Sequence, residues 1–468
     1  METKHRLPTM FEVFFVLITF VVIMFSFTVK LDLPIQLALL TTWFVIILVG
    51  LKVGYTYLEL QKGILNGIND GLEAVLVLIS VGALIGTWIV GGIVPTMIYY
   101  GLSIINPNIF LLAAFIICTV TALATGTSFG SAGTAGIAMM GIGVSFGFPL
   151  PLVAGAVISG CYVGDKLSPL SDTTVMTASL TKVNVIDHIK SMMLVSGPAF
   201  LIAGTGFLIA GFFFRTPDGD IARVNDTMIS LTEFFNIQWY MLIPAVIVIA
   251  LLVMKKPAIP VILIGAVLGS IWAFLFQNIT ILDAINSLYY GSSIDSGIDF
   301  IDNLLNRGGI VFMLDVIVLI LFALGVGGLM EKVGILKAIT TKLLLWADNA
   351  GKVTLTTLIA AFFGNFFGGA AYVSLITGSK ITEESYDKLN IDRRVLSRNV
   401  EAGGTVTTPM VPWSDGGVFM AITLGVPTLT YLPFLWFNFL VIIITIIYGF
   451  TGTFIWYTNK DDKKDETI

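Results

Sequence analysis

Long apolar stretches alternate with short polar junctions along nearly the whole chain. The longest run from Met10 to Val29, Leu33 to Gly50, Ala74 to Val90, Ile109 to Ala124, Met192 to Phe214, Trp239 to Met254, Ile259 to Phe276, Ile310 to Met330, Val353 to Gly369 and Tyr431 to Trp456. Each approaches or exceeds the roughly 20 residues that cross a bilayer as a helix. With the shorter Gly-rich runs between them, they predict an all-α polytopic membrane protein of about 11–13 helical elements. A β-barrel would alternate apolar and polar positions over segments of about ten residues, whereas these runs are continuous.

The pattern also repeats. Gly86, followed by Gly92-Ile93-Val94, resembles Gly328 followed by Gly334-Ile335-Leu336. Gly126-Thr127-Ser128-Phe129-Gly130 is set against Gly364-Asn365-Phe366-Phe367-Gly368, and Pro169-Leu170-Ser171-Asp172 against Pro412-Trp413-Ser414-Asp415. The three displacements are 242, 238 and 243 residues, in one order. This predicts two repeats, 60–190 and 281–425, each with a re-entrant hairpin and a broken helix. Around them lie N-terminal helices (1–59), linking helices (191–280) and a C-terminal helix with a charged tail (426–468). The repeats are expected to be inverted in the membrane, a common transporter arrangement. Arg215–Gln238 reads as an exposed loop, Gly291–Asn306 as a polar insertion in the second half only, and Asn459–Ile468 as a disordered tail.

Composition agrees: 56% of residues are hydrophobic and 12% charged, with a net charge of −5. Basic residues collect at Lys4/Arg6, Lys52/Lys62, Lys255/Lys256 and Lys460/Lys463/Lys464, which puts both termini on the cytoplasmic side. The first apolar run lacks a cleavage-type end and leads into a second span, so no cleaved signal is expected. Cys118 and Cys161 read as core residues, and no clustered His/Cys spacing suggests a transition-metal site. His188 reads as solvated. No P-loop lysine motif appears, so ion gradients are the expected energy source. No cofactor, no nucleic-acid partner and no enzymatic activity are expected.

Chemistry concentrates at the two Pro-x-Ser-Asp elements. No Lys or Arg occurs between Gly63 and Asp165; then follows Gly164-Asp165-Lys166-Leu167-Ser168-Pro169-Leu170-Ser171-Asp172-Thr173-Thr174. Gly164 and Pro169 interrupt any helix there, freeing backbone carbonyls for a cation and exposing a half-helix N-terminus for an anion. Asp165 and Asp172 supply hard oxygen ligands, as do Ser168, Ser171, Thr173 and Thr174. Lys166 either neutralises a carboxylate or attracts an organic anion. The bland alternative is an ordinary polar loop at the membrane surface. The second element lies in Glu401-Ala402-Gly403-Gly404-Thr405-Val406-Thr407-Thr408-Pro409-Met410-Val411-Pro412-Trp413-Ser414-Asp415-Gly416-Gly417, which is too rich in Gly, Pro and hydroxyls for a lipid-facing helix. Asp415 matches Asp172; Glu401 is either a cation or proton site or a partner of Arg393, Arg394 or Arg398. Intramembrane carboxylates are costly enough to suggest function by default. Thr127, Ser128 and Asn365, in the Gly-rich hairpins, are expected to face the site, as are Thr405, Thr407, Thr408, Trp413 and Ser414. Asp315, Asp70, Glu73 and the pair Glu331-Lys332 read mainly as interfacial.

The stretch from Gly164 to Thr174, with Pro412-Trp413-Ser414-Asp415-Gly416-Gly417, resembles the NhaC-type Na⁺/H⁺ antiporter family of the ion transporter superfamily. The resemblance runs over about residues 10–455, and within the family the chain is similar to the MleN-type malate/lactate antiporters in length and in its Gly-rich hairpin segments. The resemblance implies inverted repeats, re-entrant hairpins, broken helices, a homodimer and a bacterial plasma membrane. It also implies exchange of malate and protons for lactate and Na⁺, with plain Na⁺/H⁺ antiport as the alternative. Asp165, Asp172, Asp415 and Glu401 would then bind ions or protons. Na⁺ would sit at Asp172, Ser171, Thr173 and Asp415, and the remaining hydroxyls, Lys166, Asn365 and Trp413 would face the carboxylates.

Overall fold

A computed structural model describes residues 5–214, 220–254, 256–294, 302, 305–306 and 308–458. The Asn459–Ile468 tail, Lys4 and Lys255, and most of the Gly291–Asn306 insertion, lie outside them. So does the side chain of Asp70. The first half comprises α1 (Met10–Phe25), α2 (Ile35–Val53), α3 (Tyr57–Asp70), α4 (Leu72–Val90), α5 (Ile93–Ile104), α6 (Phe110–Thr125), α7 (Ser128–Ser131), α8 (Ile137–Ser145), α9 (Leu150–Leu167), α10 (Asp172–Leu180) and α11 (Val185–Phe213). Then come α12 (Asp220–Phe234), α13 (Ile243–Val253), α14 (Ala258–Phe276), α15 (Ile281–Tyr290), α16 (Leu314–Val333), α17 (Ile335–Trp346), α18 (Ala350–Gly368), α19 (Ala371–Lys388), α20 (Arg393–Gly403), α21 (Asp415–Leu424), α22 (Thr428–Tyr431) and α23 (Trp436–Thr451). Among the described residues eight helices are long and apolar enough to span, or up to eleven if each of three bent pairs is one span. The protein is an all-α polytopic membrane protein, as its apolar runs predict.

Element starts recur at near-constant spacing. Leu150 and Arg393 open α9 and α20, Asp172 and Asp415 open α10 and α21, and Val185 and Thr428 open α11 and α22, each pair 243 residues apart. The glycine correspondence shifts, however. Gly126 ends α6 at φ +70° and Gly369 ends α18 at φ +70°, so Gly126 is matched by Gly369, not Gly364. The left-handed turn is the shared feature, and its spacing of 243 agrees with the other pairs. Correspondence also reaches further out, since Ile35 and Ala258 open α2 and α14 at a spacing of 223. The later change of spacing is taken up by the chain between α15 and α16.

Helices of one half pack into the other. α4 lies against α14 and α15, while α16 lies against α2 and α3. Small residues permit these crossings: a Cβ on Gly67 of α3 would meet the Gly328 backbone of α16 at 2.7 Å. Gly86 of α4, the counterpart of Gly328, likewise leaves only 2.8 Å to the Gly309 amide.

Two expectations are corrected. The segment expected as an exposed loop holds α12, because Val224, Met228, Leu231 and Phe235 form an apolar stripe packed on the core. The cluster of Pro217, Asp218, Gly219 and Asp220 obscured that periodicity, and 215–219 lie outside the described residues. His188 is buried rather than solvated, with Nδ1 3.0 Å from Ser397 Oγ. It falls on the inward stripe of α11 with Ser191, Met192 and Val195.

Candidate functional site

The two hairpin tips and the two helix breaks meet at one cavity of about 380 Å³, within the range of small-molecule sites. Tip one runs from α6 through Gly126 to α7, where Thr127 caps the new helix by accepting from the Gly130 amide at 3.3 Å. Five residues of π-helix, Ala132–Gly136, follow it, a widening common at functional sites. Tip two runs from α18 through Gly369 to α19. Break one separates α9 from α10; break two separates α20 and the 3-10 turn Thr405–Met410 from α21. Ser171 and Ser414 N-cap the helices after the breaks, accepting from the Thr174 and Gly417 amides at 3.3 and 3.0 Å. This leaves Asp172 and Asp415 as first helical residues, where the positive end of the helix dipole favours a carboxylate.

Nine of the expected residues line the cavity: Thr127, Ser128, Asp165, Lys166, Asp172, Thr173, Thr405, Thr408 and Asp415. Asp415 is buried; its Oδ2 accepts from the Ala371 amide at 3.2 Å and its Oδ1 from the Gly416 amide at 2.6 Å. Its own amide donates to the Gly369 carbonyl at 2.9 Å, tying break two to tip two. Asp172 faces the open part of the cavity and accepts from the Tyr372 hydroxyl.

Beneath them lies a buried ionic cluster joining the halves. Lys166 Nζ is 3.0 Å from Asp165 Oδ2 and 2.7 Å from Glu401 Oε1, and donates to Thr173 Oγ1 at 2.7 Å. Two of the ammonium's three donors are hydrogen-bonded, to Glu401 and Thr173, and Asp165 completes the pairing of its charge. Glu401 also accepts from Thr405 at 2.7 Å and from Thr177. It does not line the cavity, and its partner is Lys166 rather than an arginine: Arg393 binds Glu383 and Asp387, and Arg394 binds Asp392. Among the described residues Asp165 Oδ1 is buried without a hydrogen-bond partner.

The other expected residues stand behind the wall. Ser168 donates to the Leu123 carbonyl at 2.9 Å and Thr174 to the Asp165 carbonyl at 3.2 Å. Asn365 donates to the Gly404 carbonyl at 2.6 Å and to Thr407 Oγ1 at 2.8 Å. Trp413 donates to the Phe366 carbonyl at 2.6 Å and packs edge-on against Phe20. Asn365, with Ser414, Tyr431 and Asn438, occupies carbonyls that break two would otherwise leave bare. At break two, cation ligands therefore come mainly from side chains. Among the described residues no three acidic, His or Cys side chains converge as a metal cage. Sequence reasoning missed Glu73, Tyr162, Tyr372 and Lys256, which also line the cavity. Glu73 and Lys256 sit at helix ends, where interfacial charge is the ordinary expectation, and no local pattern sets the tyrosines apart.

Both helix breaks and the second hairpin tip fall within the region matched by a known family. The description of the Na⁺/H⁺ antiporter family fits residues 160–453. The chain belongs to this family. It is 56% identical to a malate-2H⁺/Na⁺-lactate antiporter of Bacillus subtilis (strain 168), over 99% of each chain. It is 33% identical to the Na⁺/H⁺ antiporter NhaC of Alkalihalophilus pseudofirmus, over 86% of each chain. It is 34% identical to the arginine/ornithine antiporter ArcD of Halobacterium salinarum, covering 88% of this chain and 86% of that one. The protein is a multi-pass membrane transporter, and family membership leaves the organic substrate open.

Proposed function

We propose that this antiporter takes up malate with protons in exchange for lactate and Na⁺ across the plasma membrane. The carrying observation is the 56% identity, over 99% of both chains, to an antiporter named for that exchange. The cavity suits it. Asp172 and Asp415 compete for H⁺ and Na⁺, aided by Thr127 and Thr173, while the Asp165–Lys166–Glu401 cluster fixes the break behind them. Malate²⁻ with two protons and lactate⁻ with one Na⁺ are both neutral loads. Either load therefore leaves the same charge in the membrane, and neither works against the roughly 2.3 kcal/mol per elementary charge of a 100 mV potential.

Several features belong to the same proposal. The two halves are inverted, both termini are cytoplasmic, and the cavity opens to the cytoplasm, where Lys256 and the start of α4 lie. A homodimer is the expected assembly. The test is reconstitution in liposomes with labelled malate. Internal lactate and Na⁺ should accelerate malate uptake, without generating a potential. Na⁺/H⁺ exchange indifferent to both organic acids would instead establish plain Na⁺/H⁺ antiport.

A further inference from the structure

Two lysines line the cavity, and they are in opposite situations. Lys166 is fully buried, hydrogen-bonded to Glu401 and Thr173 and ion-paired with Asp165 and Glu401. Lys256 is exposed at the mouth and, among the described residues, makes no ion pair. Its backbone is nevertheless anchored. The Lys256 amide donates to the Leu251 carbonyl at 3.1 Å, and Pro257 caps α14 immediately after it. A long side chain on a fixed base thus overhangs a cavity otherwise lined by Glu73, Asp165, Asp172 and Asp415.

That balance poses a problem for an organic dianion. Protons held at Asp172 and Asp415 let these side chains donate hydrogen bonds to a substrate carboxylate but give no positive charge, and Lys166 is already neutralised by Asp165 and Glu401. We propose that Lys256 is the counter-charge for the second carboxylate of a dicarboxylate substrate, and so favours dicarboxylate over monocarboxylate. This rests on the malate–lactate reading above. A flexible ammonium suits the task, since it follows the substrate inward as a point charge.

The test compares Lys256→Gln and Lys256→Arg with the unaltered full chain in liposomes, measuring KM for labelled malate and labelled lactate separately. Losing one charged hydrogen bond corresponds to roughly ten-fold or more. Lys256→Gln should therefore raise KM for malate about ten-fold more than KM for lactate, and Lys256→Arg should largely restore it. Equal changes for both acids, no change, or an arginine variant as impaired as the glutamine one would each overturn the assignment. An unaltered protein that exchanges no malate would overturn the function itself, and the inference with it.

Discussion

Lys166 is the residue on which the most depends, because it holds two carboxylates of different halves in a dry interior. Taking ions out of water costs several kcal/mol each, and only their mutual pairing and hydrogen bonds offset it. Lys166→Met should therefore cost roughly 3–5 kcal/mol, read as a lowered melting temperature in detergent. Adding Glu401→Gln should recover part of that loss, since one stranded charge is then gone. Equal melting temperatures for Lys166→Met and the unaltered protein would contradict the cluster. Asp172 differs, being open to the cavity and bonded only to Tyr372 among the interactions described. Asp172→Asn should leave the fold intact and abolish Na⁺-dependent exchange; full Na⁺ coupling in a folded variant would reject its role. The carboxylates and Lys166 were legible in the sequence, as charges are conspicuous where none is tolerated without cause. Their pairing was not, because Lys166 and Glu401 lie 235 positions apart.

At the scale of elements, the site exists because two helices stop short and turn back. Gly126 and Gly369 both sit at φ +70°, where a Cβ costs about 1–2 kcal/mol. Gly126 also lacks room, since its Cβ would lie 2.6 Å from Leu170 Cβ at break one. Gly452 has a similar φ, +76°, with nothing within 4 Å. Thermal melts should therefore rank Gly126→Ala well below Gly452→Ala, which carries the backbone penalty alone. Exchange rates should fall for Gly126→Ala only. Equal losses would mean that tip and break are not packed as described. The breaks were readable from Pro169, Pro412 and their glycines. The tips were readable only as Gly-rich stretches, so Gly126 was set against Gly364 rather than Gly369. A left-handed turn leaves no mark beyond glycine itself.

For the molecule as a whole, the exchange of helices between halves is the defining feature, with α4 held by α14 and α15, and α16 by α2 and α3. Inversion makes a direct prediction at equivalent junctions. Asn106 and Asp348 are exposed, lie 242 residues apart and occupy corresponding connectors before α6 and α18. An impermeant thiol reagent applied outside intact cells should label Asn106→Cys and spare Asp348→Cys. The native Cys118 and Cys161 are buried and should not react. Labelling of both positions from one side would reject inversion.

By itself the sequence determined the class of the molecule. Continuous apolar runs permit only helices in a bilayer, and paired Pro-x-Ser-Asp elements signal duplicated breaks. Hydropathy and helix-breaking are local properties, so local order encodes them. The tertiary structure alone decided which charges meet. It joined Lys166 to Glu401, buried His188, and brought Glu73, Tyr372 and Lys256 to the cavity. Those outcomes depend on how helices distant in sequence cross, which is set by packing between the halves rather than by any local pattern.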